Sequence, residues 1–248
     1  MPSGVGGSNR IVPARRLAGR PPPMRKLPEI HLAILTYDAL EQTQACLESI
    51  RAHTRMPYRV HVWDNASQRD TKAWLREAEG IWDALDVRFS PTNRGVAGGR
   101  NELLDWLLPE VPDDAWLVFL DNDITVGAGW TDPFEELPEE VPDVGMMGHM
   151  GHPILVGEGH RALLAAPDRT APVDVLSGGF ACWIRAGLAR TIGPLDEGTG
   201  KFWHEDDDWS VRVKAAGHTV WRVAGADITH HEHGSGVAQA GLAEGGSL

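Results

Sequence analysis

The strongest constraint on the fold is an alternation of short apolar runs and helix-forming stretches between residues 30 and 120. Apolar runs of this length are typical of buried strands, whereas the stretches between them carry apolar residues at helical spacing. The predicted strands are 30–36, 58–63, 87–89 and 116–120, and the predicted helices are 41–53, 71–79 and 102–108. Strands that alternate with helices predict βαβ units, and therefore an α/β fold whose parallel sheet is covered by helices on both faces.

After residue 138 the pattern is looser. The segment 135–140 mixes acids with prolines and predicts a surface connection, whereas 205–216 predicts a helix that Gly217 ends. Further short strands are predicted at 144–147, 173–176, 181–184 and 220–223. We expect one domain over 30–235 with two halves, 30–125 and 126–235, between a disordered basic leader at 1–29 and a flexible tail at 236–248.

The charge of the chain is unevenly distributed. With 23 Lys+Arg and 35 Asp+Glu, the 248 residues carry a formal net charge of −12. Residues 1–30 hold six basic side chains and one acid, so the other 218 residues carry 17 basic and 34 acidic side chains, a net charge of −17. A body this acidic repels polyanions, which argues against a broad nucleic-acid-binding surface. A small anionic ligand could still be held locally by a metal ion.

Two features bear on the cellular compartment. Cys46 and Cys182 are too few for a disulfide framework and fit a reducing environment. No apolar run approaches the roughly 20 residues that a transmembrane helix needs. We therefore expect a cytoplasmic protein without a transmembrane segment, with a peripheral membrane contact through the basic leader as the alternative.

Polar residues follow each of the first four predicted strands, where ligands bind in parallel sheets. Asp121 and Asp123 come after the strand at 116–120. Because alternate residues of an extended segment point the same way, both carboxylates can face one ligand. Two carboxylates suit Mg²⁺ or Mn²⁺, which would in turn hold substrate phosphates. A turn capped by these Asp side chains is the alternative explanation.

Two more strand ends carry candidate ligand groups. Asp64 could accept a hydrogen bond from a nucleobase imide and Asn65 could bind the ribose, although a capped turn explains both residues equally. The run 93–101 places glycines before a predicted helix, where exposed N–H groups favour anions. A flexible loop is the alternative explanation for that run.

The segment 203–209 carries four consecutive acids between aromatic residues. Because neighbouring carboxylates repel one another, we expect one of them to have a raised pKa, which suits a general base. Stabilisation of acids at a helix N-terminus is the alternative reason for this pattern.

Two other segments are candidates for ligand contact. His230, His231 and His233 could ligate a metal ion, or could belong to a polar loop. Gly178 and Gly179 fit a tight turn, which would also let a sugar or an acceptor lie against the backbone.

Taken in this order, the motifs resemble those of the family 2 glycosyltransferases, and they are most similar to the bacterial rhamnosyltransferase-like branch. The resemblance runs from about residue 30 to residue 235. The motifs that carry it are Leu35-Thr36-Tyr37, Trp63-Asp64-Asn65-Ala66-Ser67, Asn93-Arg94-Gly95 with Asn101, Asp121-Asn122-Asp123, Ser177-Gly178-Gly179, Glu205-Asp206-x-Asp208-Trp209-x-x-Arg212 and a histidine before Ser235.

The resemblance implies a GT-A fold and an inverting, metal-dependent transfer from a nucleoside-diphosphate sugar to an acceptor nucleophile. Asp206 would be the general base, and Glu205 would bind hydroxyl groups. Asp123 with His230 or His231 would bind Mn²⁺ or Mg²⁺. The implied nucleotide and donor contacts are Thr36, Tyr37, Asp64, Asn65, Asn93, Arg94, Gly95, Asn101, Asp121 and Asn122. The implied acceptor contacts are Gly178, Gly179, Trp203 and Trp209.

The same resemblance limits the partners. The donor would be a UDP-, dTDP- or GDP-linked hexose or deoxyhexose, and the acceptor a saccharide, a small molecule, a lipid-linked compound or a peptide. A nucleotidyltransferase, a metal-dependent phosphohydrolase and a non-catalytic sugar-nucleotide-binding module are the alternatives. The Glu205-Asp206 pair argues against a non-catalytic module, and the lack of an Arg/Lys-rich triphosphate loop argues against nucleotidyl transfer.

Overall fold

The computed structural model describes residues 29–157, 160–176, 181–199 and 205–231. Its strands are β1 (Ile30–Thr36), β2 (Tyr58–Asp64), β3 (Leu85–Phe89), β4 (Trp116–Asp121), β5 (Ile124–Val126), β6 (Val144–Gly148), β7 (Gly151–His152), β8 (Ile154–Gly157), β9 (His160–Leu163), β10 (Ala171–Pro172), β11 (Val175–Leu176), β12 (Ala181–Arg185), β13 (Thr219–Arg222) and β14 (Ile228–His230). Its helices are α1 (Leu40–His53), α2 (Arg69–Ile81), α3 (Gly95–Leu107), α4 (Asp132–Glu140), α5 (Ala186–Ile192) and α6 (Glu205–Ala215), with a 3₁₀ turn at Glu197–Thr199.

The described residues build one large mixed sheet in the order β10-β13-β6-β12-β4-β1-β2-β3. Strands β4, β1, β2 and β3 are parallel, as the alternation of strands and helices predicts. Strand β12 runs antiparallel to both of its neighbours, β4 and β6, and β13 runs parallel to β6. The ends of β1, β2 and β4 therefore meet at one edge, which we call the carboxyl edge.

Helices cover both faces of the sheet, and each face has its own core. Alternate residues of β4 divide between the two cores: Val118 and Leu120 pack on the side of α1, α2 and α4, whereas Leu117 and Phe119 pack on the side of α3, α5 and α6. This period of two is the expected pattern of a strand that is buried on both faces. The predicted α/β class with a GT-A-type sheet is confirmed.

Two predicted boundaries are wrong. Helix α3 begins at Gly95, seven residues before the predicted start, because its glycines are packing positions rather than a loop: a side chain at Gly99 would collide with Leu35 of β1. The predicted surface connection at 135–140 lies within α4, where Phe134 and Leu137 bury their side chains at helical spacing. The predicted leader, apart from Glu29, and the predicted tail lie outside the described residues.

Across the described ranges, none of the helices combines the length and the apolar character that a membrane crossing requires.

Candidate active site

The turns at the carboxyl edge hold unusual backbone conformations. Asp38, Ala39 and Ala66 have φ values of 52°, 50° and 72°, in the left-handed region that costs a non-glycine residue energy. Hydrogen bonds between the two turns hold this geometry, because Asp38 N donates to Ser67 Oγ at 2.7 Å and Gln68 N donates to Asp38 Oδ1 at 2.6 Å. Strained backbone that the surrounding structure maintains is typical of functional sites.

Three side chains at this edge form a candidate metal centre, which we call the edge cluster: Asp121, Asp123 and His230. One ligand atom from each lies within 4.8 Å of the other two, and His230 Nε2 is 3.2 Å from Asp123 Oδ1. Strand β14 brings His230 to the site because it pairs antiparallel with β5, with His230 opposite Ile124. Two carboxylates and an imidazole suit Mn²⁺ or Mg²⁺ in charge and ligand type.

His231 does not join this cluster, so its predicted part in the metal site is wrong. Its Nε2 lies 2.8 Å from Thr125 Oγ1, and its backbone N–H donates to the carbonyl of Asp123. Successive residues of an extended segment point to opposite sides, and therefore only one of two adjacent histidines can face the carboxylates.

Arg100 connects the edge cluster with the predicted general base. Its Nη1 donates to Asp206 Oδ1 at 2.9 Å and its Nη2 donates to Asp121 Oδ1 at 3.0 Å, and the guanidinium is almost completely buried. Sequence reasoning assigned this residue no role. Its one sequence signal is its place after Gly99, which lets α3 approach Leu35 of β1 closely.

Asp206 lies in the first turn of α6 and is 9% exposed. Its carboxylate is paired with the guanidinium of Arg100. Glu205 begins the helix, and its side chain is outside the described part, as are Gly178, Gly179 and Trp203. The structure therefore brings Asp206 beside the edge cluster, although Asp206 is more than 80 residues from Asp121 and Asp123 in sequence.

Asp64 ends β2 with its side chain fully buried. Its Oδ1 accepts a hydrogen bond from Ser67 N at 3.3 Å, whereas its Oδ2 has no hydrogen-bond partner and lies 3.8 Å from Lys72 Nζ. Burial is the main reason why the pKa of Asp64 is raised. A buried acceptor without a partner is costly, and a ligand N–H at this place would satisfy it.

Several residues that are predicted to contact a ligand form hydrogen bonds within the protein. Asn65 donates through Nδ2 to Asn93 Oδ1 and to the carbonyl of Gly95, both at 3.0 Å, and its Oδ1 accepts from Arg94 N at 3.0 Å. The amide of Asn65 thus holds the loop 93–95, and its direct contact with the ribose stays a prediction. Asn93 and Arg94 of that loop are exposed.

Asn101 is likewise buried, with its amide bonded inside the protein, and its ligand contact stays a prediction. It binds both the N–H and the carbonyl of Leu195, at 2.8 and 3.0 Å, and also reaches Glu197 Oε1 at 3.0 Å. Arg94 pairs with Glu102 and with Glu197, the latter at 3.6 Å. These contacts attach helix α3 to residues 195–197, which precede α6 in the chain.

Three further predicted contacts point into the protein. Thr36 and Asn122 are bonded to each other in the interior, whereas Tyr37, which follows β1, is partly exposed. Trp209 is 2% exposed, packs edge to face on Phe119 and donates to the carbonyl of Gly193 at 3.0 Å. Trp209 is thus a core residue, and the prediction that it contacts an acceptor is wrong.

Comparison with known proteins agrees with this geometry. A family model described as glycosyl transferase family 2 matches residues 32–161, and the chain belongs to that family. Over 106 residues the chain is 30% identical to the glycosyltransferase AglE of Haloferax volcanii, covering 42% of this chain and 33% of AglE. The similarity does not confirm the rhamnosyltransferase-like branch.

The fold is similar to solved GT-A glycosyltransferase structures. GalNAc-T7, crystallised with UDP, GalNAc and Mn²⁺, superimposes with a TM-score of 0.68 at 13% identity, covering 82% of this chain and 44% of that one. The mannosyltransferase PcManGT of Pyrobaculum calidifontis, in complex with GDP-Man and Mn²⁺, gives 0.58 at 16% identity, covering 81% and 55%. TarS 1–349 of S. aureus gives 0.59 at 16% identity, covering 81% and 59%. The chain thus spans a third to three fifths of the length of these relatives.

Proposed function

We propose that this chain is a metal-dependent inverting glycosyltransferase that moves a hexose or deoxyhexose from a nucleoside-diphosphate sugar to an acceptor nucleophile. The observation that carries the proposal is the arrangement of Asp121, Asp123 and His230 beside Asp206, with Arg100 between the two groups. Membership of family 2 supports the reaction class, and the solved neighbours with UDP or GDP-Man and Mn²⁺ support the donor class and the metal.

The nucleotide-sugar half of the proposed enzyme is 30–125. Asp64 Oδ2, which lacks a hydrogen-bond partner, accepts the imide N–H of the base, and Tyr37 borders it. The exposed loop at Asn93, Arg94 and Gly95 lies along the nucleotide and the donor sugar. Asn65 contributes indirectly, because its amide holds that loop in place.

The metal site of the proposed enzyme is the edge cluster. Mn²⁺ or Mg²⁺ bound there supplies positive charge that stabilises the leaving diphosphate. Asp121, Asp123 and Asp206 bring three carboxylates to the site, and Arg100 offsets only part of their charge. The residues present therefore favour a divalent cation at this position.

The base of the proposed reaction is Asp206. It takes the proton of the acceptor nucleophile while the nucleophile forms a bond to the anomeric carbon and the bond from that carbon to the diphosphate oxygen breaks on the opposite face. Arg100 donates one hydrogen bond to Asp206 and another to Asp121, which fixes the position of the base relative to the edge cluster. The half over 126–235, with Glu205, Gly178, Gly179 and Trp203, holds the acceptor, which is a saccharide, a small molecule, a lipid-linked compound or a peptide.

A thermal-shift panel tests the proposal. UDP-, GDP- and dTDP-sugars are added to the full chain with and without Mn²⁺, and we expect at least one of them to raise the melting temperature in a metal-dependent way, because a ligand that binds only the native state stabilises it. If no member raises the melting temperature under either condition, the donor site is wrongly assigned. Stabilisation that is equal with and without Mn²⁺ would contradict the metal dependence.

A further inference from the structure

One face of α1 contacts the segment that carries two of the metal ligands. Thr43, Cys46 and Ser49 are spaced three residues apart, so they lie on the same side of the helix. Each contacts a different part of 121–126. Thr43 Oγ1 lies 2.9 Å from Asn122 Nδ2, Cys46 Sγ lies 3.7 Å from the carbonyl oxygen of Asp121, and Ser49 Oγ accepts from Val126 N at 3.1 Å. The turn between β4 and β5 is therefore attached to α1 along its length.

The contact at Asn122 is a closed triad of buried polar groups. Asn122 Nδ2 donates to Thr36 Oγ1 at 3.1 Å and to Thr43 Oγ1 at 2.9 Å, which uses both of its hydrogens. The two threonine hydroxyls are also bonded to each other at 2.9 Å. Thr36 and Thr43 are 0% exposed and Asn122 is 5% exposed. Because a buried polar group without a partner is expensive, the triad strongly favours one orientation of Asn122.

The orientation of Asn122 determines where its neighbours point. Asn122 lies in the short turn between β4 and β5, directly between Asp121 and Asp123, so an Asn122 held inward by the triad fixes the backbone from which both carboxylates project. The third ligand depends on the same segment, because His230 pairs across β14 and β5 with Ile124. Ser49 fixes the far end of β5 through Val126 N. All three members of the edge cluster are thereby positioned from α1.

We infer that Thr43 and Asn122 are positioning residues for the metal site, and that α1 sets the spacing of Asp121, Asp123 and His230 through the buried triad. The inference rests on the proposed function, since it concerns the site that the proposed enzyme uses for its cation. Neither residue touches the metal or the substrate. Their effect is to hold the ligands in the arrangement that binds the ion, as hydrogen bonds around a metal centre commonly do.

The test compares two substitutions at one position. Thr43→Val keeps the shape of the side chain but removes the hydroxyl, and it leaves Asn122 with an unsatisfied donor. Thr43→Ser retains the hydroxyl. Binding of Mn²⁺ alone to the full chain is measured by the loss of the electron paramagnetic resonance signal of the free ion. We expect Thr43→Val to weaken Mn²⁺ binding about tenfold, with Thr43→Ser close to the wild type.

A matched control separates positioning from general loss of stability. Ile184→Val removes one methylene from the core on the opposite face of the sheet, where Ile184 is fully buried, and should leave Mn²⁺ binding unchanged. Wild-type affinity in Thr43→Val would overturn the inference, as would an equal loss in Ile184→Val. If the wild type binds no Mn²⁺, the proposed metal site itself is wrong, which is a different result from failure of the triad.

Discussion

Two clusters of histidine and aspartate in this molecule are similar in residue composition, but they differ in geometry and in charge balance. In the edge cluster, one ligand atom from each of Asp121, Asp123 and His230 lies within 4.8 Å of the other two. The second, which we call the interior cluster, consists of His31, His61 and Asp86. His61 Nε2 lies 3.1 Å from His31 Nδ1, and its Nδ1 lies 3.7 Å from Asp86 Oδ2. In this second cluster the partners lie on opposite sides of one imidazole, so the ligand atoms do not converge on a point.

The charge balance of the two clusters also differs. Asp86 is paired with Arg59 at 2.7 Å, whereas in the edge cluster Asp121 shares Arg100 with Asp206, and Asp123 lies beside the imidazole of His230. Burial, together with the neighbouring His31, lowers the pKa of His61 to about 4, so its imidazole is neutral at physiological pH. His61 also packs edge to face on Trp106. A histidine near a carboxylate therefore indicates a site only when the ligand atoms converge and negative charge is left over.

The largest expected effect concerns the base beside the edge cluster. Asp206→Asn keeps the shape of the side chain and removes its ability to take a proton. We expect the rate of sugar transfer to fall by about 10²–10⁴, the usual contribution of a general base, while donor binding in the thermal-shift assay is retained. Turnover close to the wild-type rate would show that another group is the base. Loss of donor binding as well would show that Asp206 belongs to the donor site.

A smaller effect separates the two adjacent histidines. His230→Ala removes a ligand atom of the edge cluster, and we expect it to weaken Mn²⁺ binding by about a hundredfold, the upper end of the range for groups around a metal. His231→Ala is the matched control, because it loses only the contact with Thr125 and should bind Mn²⁺ like the wild type. Equal losses in both variants would contradict the assignment of the ligand to one histidine.

The sequence predicts those parts of the fold that depend on the spacing of apolar and polar residues within one segment. The first four strands follow from their apolar runs. The convergence of Asp121 and Asp123 does not follow from strand alternation, because Asn122 and Asp123 form a turn between β4 and β5. The choice between His230 and His231 depends on the pairing of β14 with β5, which joins residues about 100 positions apart. Arg100 presents the same difficulty, because it looks like an ordinary helix residue until its partner Asp206 is known.

The local sequence pattern also does not predict which side chains of a motif are buried. Asn65, Asn101 and Trp209 lie within motifs that resemble a ligand-binding site, yet their polar atoms are used inside the protein. They support the site by fixing the loops that surround it. A motif identifies residues that a site requires, but only the packing distinguishes those that touch a ligand from those that hold other residues in place.

The smallest expected effect tests the interior cluster through pH. The pKa of His61 is about 4 in the folded protein and near 6.5 when unfolded, so the unfolded chain takes up a proton more readily as the pH falls. The stability that a neutral His61 contributes is thus fully present above about pH 6.5 and is lost as the pH falls towards 4. We expect a loss of about 2 kcal/mol in the free energy of unfolding between pH 7 and pH 5, measured by urea denaturation.

His61→Phe provides the matched variant for this pH effect, because it keeps an aromatic ring beside Trp106 and removes the titrating group. Its free energy of unfolding should fall less steeply between the same two pH values than that of the wild type. His31 and His149, whose pKa values are also lowered by burial, contribute to the part of the slope that remains. An unchanged slope in His61→Phe would mean that the interior cluster does not control acid stability. Mn²⁺ binding measured at neutral pH should be the same in both proteins, since His61 contributes no ligand to the edge cluster.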